Sequence, residues 1–109
     1  MMTKITFYQR EDGSYQGFDS CGHAGYAQEG EDIVCSAISA LIINFVNSLE
    51  TFTDDDYQVD AAPENAVIRV VFTGELSEEG NLLLKSLILG LSSMEEEQDQ
   101  YLDVIFEEV

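Results

Sequence analysis

The chain has 109 residues, 45% of them hydrophobic, which fits one domain with a real core and excludes a disordered tail. Its 22 acidic against 4 basic residues give a formal net charge of -18, which repels phosphates and excludes bare DNA or RNA as a direct partner. The same charge attracts a basic peptide or protein, although acids also serve simply to keep a small domain soluble.

No apolar run is read as long enough to span a membrane. Met1-Met2-Thr3-Lys4-Ile5 carries no apolar signal core before a cleavage site. The expected location is therefore cytoplasmic, where thiols stay reduced. Cys21 and Cys35 are read as thiols rather than as a disulfide.

Ile5 and Phe7 alternate with Lys4, Thr6 and Tyr8, which predicts a strand. Glu11-Asp12-Gly13-Ser14 is turn chemistry, and Tyr15 to Ser20 alternates again with Phe18 inward, so the two strands form a hairpin. Gly17 and Gly22 leave room for another backbone or a ligand to come close. Asp32 is read as an N-cap with Glu31 beside it, opening a helix from about Ile33 to Thr51. Val34, Ile38, Leu41, Phe45 and Leu49 form its stripe, and Ala37, Ile42 and Val46 widen it. Such breadth predicts packing on the sheet and also against a second helix or a second subunit.

Tyr57 and Val59 predict a short strand, with a turn over Ala61-Ala62-Pro63-Glu64-Asn65. Val67 to Phe72, interrupted only by Arg69, reads as a central strand. Ser77 followed by Glu78 and Glu79 starts a second helix. Leu82, Leu83, Leu84, Leu87, Ile88, Leu91 and Met94 are its expected buried face, and Gly90 weakens it. Glu95-Glu96-Glu97 sits at the wrong end for the helix dipole, so fraying is expected there. Leu102, Val104 and Phe106 alternate in a last strand. The order ββαββαβ predicts one α+β domain over residues 1–109, a mixed sheet with two helices.

Residues 21 to 39 hold the only histidine and both cysteines. His23 follows a strand and Cys35 falls near a helix start, the layout that a cysteine nucleophile and its base require. With Asp32 as cap, Cys35 is the third helical residue. Unpaired N–H groups and the dipole then favour its thiolate and can hold an oxyanion. Ser39 lies one turn beyond Cys35 on the same face, placed to bind substrate or support the site. The loop from Ala24 to Glu31, with Gly25 and Gly30 as pivots, is read as able to close over a peptide. Within it Tyr26 offers an aromatic contact, and Glu29 and Glu31 offer charge.

Each residue also has a plainer reading. A cysteine in an apolar helix is most often packing, a lone histidine is often structural, and Asp32 serves fully as a cap. Cys21 is read as packing or a bystander thiol. Cys21, His23 and Cys35 offer three ligands to zinc, but no second Cys/His pair completes a structural site, so no metal and no cofactor is expected. No Cys-x-x-Cys motif supports a redox switch.

Gly22-His23-Ala24-Gly25-Tyr26-Ala27, then Gly30, then the run Asp32-Ile33-Val34-Cys35-Ser36-Ala37-Ile38-Ser39-Ala40-Leu41 resembles the signature of the ribosomal-processing cysteine protease family Prp, also called YsxB-like. The likeness extends to chain length and element order. Members of that family remove a short N-terminal extension from bacterial large-subunit ribosomal protein twenty-seven. The resemblance implies His23 as base and Cys35 as nucleophile. Asp32 and Ser39 match further polar motif positions, and Gly22 and Tyr26 lie in the same motif as supporting or substrate-binding residues. Ser36 stands where alanine is common. The resemblance also implies a homodimer and a basic ribosomal protein as substrate. The alternative of another class is a non-catalytic acidic partner or assembly chaperone of a basic ribosomal protein.

Overall fold

In β1 (Thr3–Gln9) the odd-numbered residues Thr3, Ile5 and Phe7 are buried, so one strand face is committed to a core. Asp12 shapes the turn to β2 (Tyr15–Cys21): its Oδ1 accepts from the Ser14 N–H at 2.9 Å and the Ser14 hydroxyl at 2.6 Å. Gly13 supplies the positive φ of 92° that this turn requires. The antiparallel register sets Phe7 opposite Phe18 and Ile5 opposite Ser20. The structure is a computed structural model that describes residues 3–22, 29–62 and 67–109.

The remaining elements are α1 (Glu29–Phe52), β3 (Tyr57–Ala62), β4 (Val67–Phe72), α2 (Glu78–Glu97) and β5 (Leu102–Glu108), the expected ββαββαβ order. The sheet is five-stranded and mixed, in the order β3-β4-β2-β1-β5, with β5 parallel to β1 and the other pairs antiparallel. Gly17 lets β4 approach β2, because a Cβ there would run into the Val70 carbonyl oxygen. Ile5, Phe7, Phe18, Val70 and Phe72 bury one sheet face against Ile38, Phe45 and Leu49 of α1 and Leu84, Leu87 and Leu91 of α2. The Phe18 ring lies 5.7 Å from Phe45 and 6.5 Å from Phe72. Lys4, Asp19 and Arg69 stand on the other face, which carries no helix among the described residues.

Several expectations need correction. The first helix begins at Glu29, not Ile33, so Asp32 lies inside it and is not its N-cap. The tertiary packing of the apolar stripe outweighs the cap preference of Asp32 and the helix-breaking tendency of Gly30. Glu29, Gly30 and Glu31 therefore belong to the helix rather than to a loop, and residues 24–28 lie outside the described residues. The proposed turn begins later, since Ala61 and Ala62 continue β3. In α2, Leu82 is 68% exposed, because a residue two positions from Leu84 points to the opposite side of a helix. The helix also continues through Glu97, and Glu95 Oε2 accepts from the Val104 N–H at 2.6 Å, fastening it to β5.

The membrane reading also changes. Ile33–Phe52 is 20 residues with mean hydropathy 1.7, long and apolar enough by length and composition to cross a bilayer. Its apolarity has a use inside the fold: Val34, Ile38, Ile42, Phe45 and Leu49 are core residues, while Leu41 meets the α2 backbone at Gly90. The broad apolar face thus packs on the sheet and on a second helix, as expected from its width.

Candidate active site

At one end of the domain, α1 crosses the end of β2 and the starts of β1 and β4. A cleft of about 300 Å³ opens there, and Cys35 lines it. Helical spacing puts Ile38, Ser39 and Ile42 on the same wall as Cys35. The facing wall carries Thr3, Ser20, Gly22 and Ile68. The lining is mainly apolar, with Thr3, Ser20 and Ser39 as its hydroxyl-bearing residues.

The cleft forms because the inward positions of two strands change character at this end. In β1 the buried series Phe7, Ile5 ends in Thr3, and in β2 Phe18 is followed inward by Ser20. Thr3 is 4% exposed and Ser20 6%, the two buried polar residues among those described. The Thr3 Oγ1 lies 3.5 Å from Cys35 Sγ, within hydrogen-bonding range for sulfur. The Thr3 backbone is itself held, its N–H donating to the Tyr101 carbonyl at 2.9 Å.

Of the residues singled out in the sequence, Gly22, Cys35 and Ser39 are brought together at this cleft. Asp32 has a place in the α1 backbone only. His23 and Tyr26 lie outside the described residues. Because α1 starts at Glu29, Cys35 sits in its second turn, where its N–H belongs to the helical ladder. The unpaired N–H groups of the helix start are therefore a turn away from the sulfur, and the first-turn reasoning for thiolate and oxyanion does not carry over.

Cys21 is exposed and pairs in register with Lys4 and Val67. Strand alternation turns it to the face opposite Ser20, so it does not line the cleft with Cys35. No group of three or more metal-ligating side chains is found among the described residues. Thr3 and Ser20 escaped the sequence reading. The available signal was a polar residue at an inward position of each alternating strand.

The family model for cysteine protease Prp matches residues 2–103. The ribosomal processing cysteine protease Prp of Bacillus subtilis (strain 168) is 24% identical over 107 residues, covering 94% of this chain and 96% of that protein. Its counterpart from Staphylococcus aureus is 32% identical over 81 residues, covering 72% of this chain and 74% of that protein. Among solved structures, the essential ribosomal processing protease Prp from S. aureus in complex with a substrate peptide superposes with a TM-score of 0.91 at 20% identity. That match covers 97% of this chain and 100% of the other. The same protease with a covalently linked product peptide gives a TM-score of 0.87 at 21% identity, with the same coverage. A match spanning nearly the whole chain, joined to a cysteine that lines a cleft, establishes that this chain belongs to the cysteine protease Prp family.

Proposed function

We propose that the chain is an endopeptidase that removes the N-terminal extension of bacterial large-subunit ribosomal protein twenty-seven, using Cys35 as nucleophile and His23 as base. The observation that carries this reading is the position of Cys35 in the cleft, beside the strand end that continues through Gly22 into His23. The S. aureus relative crystallised with a covalently linked product peptide supports a covalent route.

In this reaction His23 takes the thiol proton and the sulfur attacks the scissile carbonyl carbon. The tetrahedral intermediate collapses as His23 returns the proton to the departing amine. The N-terminal product remains as a thioester on Cys35, and water, deprotonated by His23, releases it as a carboxylic acid. Gly22 gives the peptide backbone access, Ser39 supplies a hydroxyl to it, and Tyr26 and Asp32 support the site. The net charge of -18 attracts a basic ribosomal protein. The enzyme acts in the cytoplasm as a homodimer.

The test is incubation, under reducing conditions, with a peptide spanning the extension of the ribosomal protein from the same organism. Cleavage by wild type and loss of about 10⁴-fold or more in Cys35→Ala is the expected result. Binding without cleavage by wild type would refute the protease reading and leave a non-catalytic acidic partner.

A further inference from the structure

We propose that Thr3 is a positioning residue for Cys35: its hydroxyl contacts the sulfur and selects the rotamer that faces the cleft. This rests on the reading of Cys35 as the nucleophile. Thr3 Oγ1 and Cys35 Sγ are 3.5 Å apart and come from positions remote in the chain. Thr3 is 4% exposed, so water is a poor alternative partner for its hydroxyl. The backbone beneath it is held on the outer side, through the N–H to the Tyr101 carbonyl and a parallel register with buried Leu102. A β-branched side chain on a fixed strand has few χ1 choices. Thr3 thus presents its hydroxyl from the sheet while Cys35 approaches from the helix.

The contact serves both states of the sulfur. A thiol S–H is a weak donor and its sulfur a weak acceptor, whereas a thiolate accepts. The Thr3 hydroxyl accepts from the sulfur or donates to it accordingly and holds it towards the cleft. No proton is transferred to or from Thr3, and its O–H turns to serve either state. Among the described residues, Cys35 is the one titratable group lining the cleft, so Thr3 acts there without competition from a neighbouring described charge. His23, the base in the proposed reaction, acts on the same sulfur.

The experiment measures the rate of Cys35 alkylation by iodoacetamide at pH 7, without substrate. A Cys21→Ser background removes the exposed second thiol, and peptide mass spectrometry reads the site. Thr3→Val keeps the side-chain shape and deletes the hydroxyl, while Thr3→Ser keeps the hydroxyl. Thr3→Val is expected to slow alkylation by roughly tenfold, the effect of losing one hydrogen bond that holds the sulfur towards the cleft. Thr3→Ser is expected to restore the wild-type rate. A wild-type rate in Thr3→Val, or an equal loss in Thr3→Ser, overturns the proposal. Should the valine variant fail to fold, Thr3→Ala is compared with Thr3→Ser under the same criteria. Peptide cleavage by the parent protein is assayed separately, so a failed protease reading is told apart from a failed role for Thr3.

Discussion

Asp55 clasps Ser77: its carboxylate accepts from the Ser77 backbone N–H at 3.1 Å and from the Ser77 hydroxyl at 2.8 Å. Ser77 is in turn the N-cap of α2, its Oγ accepting from the Gly80 N–H at 3.1 Å. One carboxylate in the α1–β3 connection thereby anchors the start of the second helix. Gly80 belongs to this arrangement, since a Cβ there would collide with the Asp55 carboxylate. Ser77→Ala is expected to cost about 1 kcal/mol as a lost cap, and Asp55→Ala about 1–3 kcal/mol. In urea titrations the double variant should lose less than the two single losses combined, because the bonds are shared. Strict additivity would show that the two residues act independently.

Tyr8 gives a prediction for alkaline solution. Its hydroxyl donates to Asp19 Oδ2 at 2.6 Å, and that bond, with burial and the nearby Asp19 and Glu107 charges, pushes the phenol up from 10.0 to about 12. A raised phenol value means that the fold favours the neutral form. The resulting stability is full below pH 10.0 and is lost as pH rises through about 12. Tyrosinate absorbance should show a late step that Tyr8→Phe removes and Asp19→Asn moves down. Tyr57, raised by its hydrogen bond to Glu50, also titrates late, so the variants make the assignment. A late step unchanged in Tyr8→Phe would contradict the hydrogen-bond explanation.

Two glycines should respond in opposite directions to the same added methyl group. Gly17→Ala drives a Cβ into the Val70 carbonyl oxygen between paired strands, and a loss of about 1–3 kcal/mol is expected. Gly90→Ala meets Leu41 Cδ1 at 3.4 Å, an ordinary contact, while improving the interior of α2. A gain of about 0.5–1 kcal/mol follows from helix propensity. Melting temperatures of both variants check the contrast, and a stabilised Gly17→Ala would contradict the strand approach described above.

With the proposed basic substrate, the charge of -18 is expected to make cleavage sensitive to salt. Raising ionic strength from 0.01 to 1 M shortens the Debye length from about 30 to about 3 Å and screens the attraction. A fall of about tenfold in kcat/KM is expected over that range, carried mainly by association. An uncharged peptide with the same scissile sequence should show little dependence. Equal salt sensitivity of the two peptides would remove electrostatic attraction from the proposed function.

What could be read from the sequence was mostly local. The alternation of Ile5 and Phe7 and the inward Phe18 fixed strand faces, and Ser77 announced a helix start that its Gly80 bond bears out. The spacing of Cys35, Ser39 and the apolar residues between them placed both on one helix wall, where the cleft has them. Asp32 misled because cap preference is a weak local term and the helix extends past it to Glu29. Glu95 misled because its partner, the Val104 N–H, belongs to another element. The pairing of β1 with β5 and the contact from Thr3 to Cys35 join distant positions, and no local spacing encodes them.

The parallel seat of β5 beside β1 also orders events in time. A chain made from its N-terminus has β1, β2 and α1 long before Tyr101 and β5 emerge. Until then the outer edge of β1 is unpaired, and Thr3 lacks the carbonyl that holds its N–H. Closing so long a loop is slow, because its entropy is lost before the pairing compensates. The wall bearing Thr3 is thus among the last parts to become rigid. The cleft wall opposite Cys35 is therefore fully braced only once the C-terminal strand has joined the sheet.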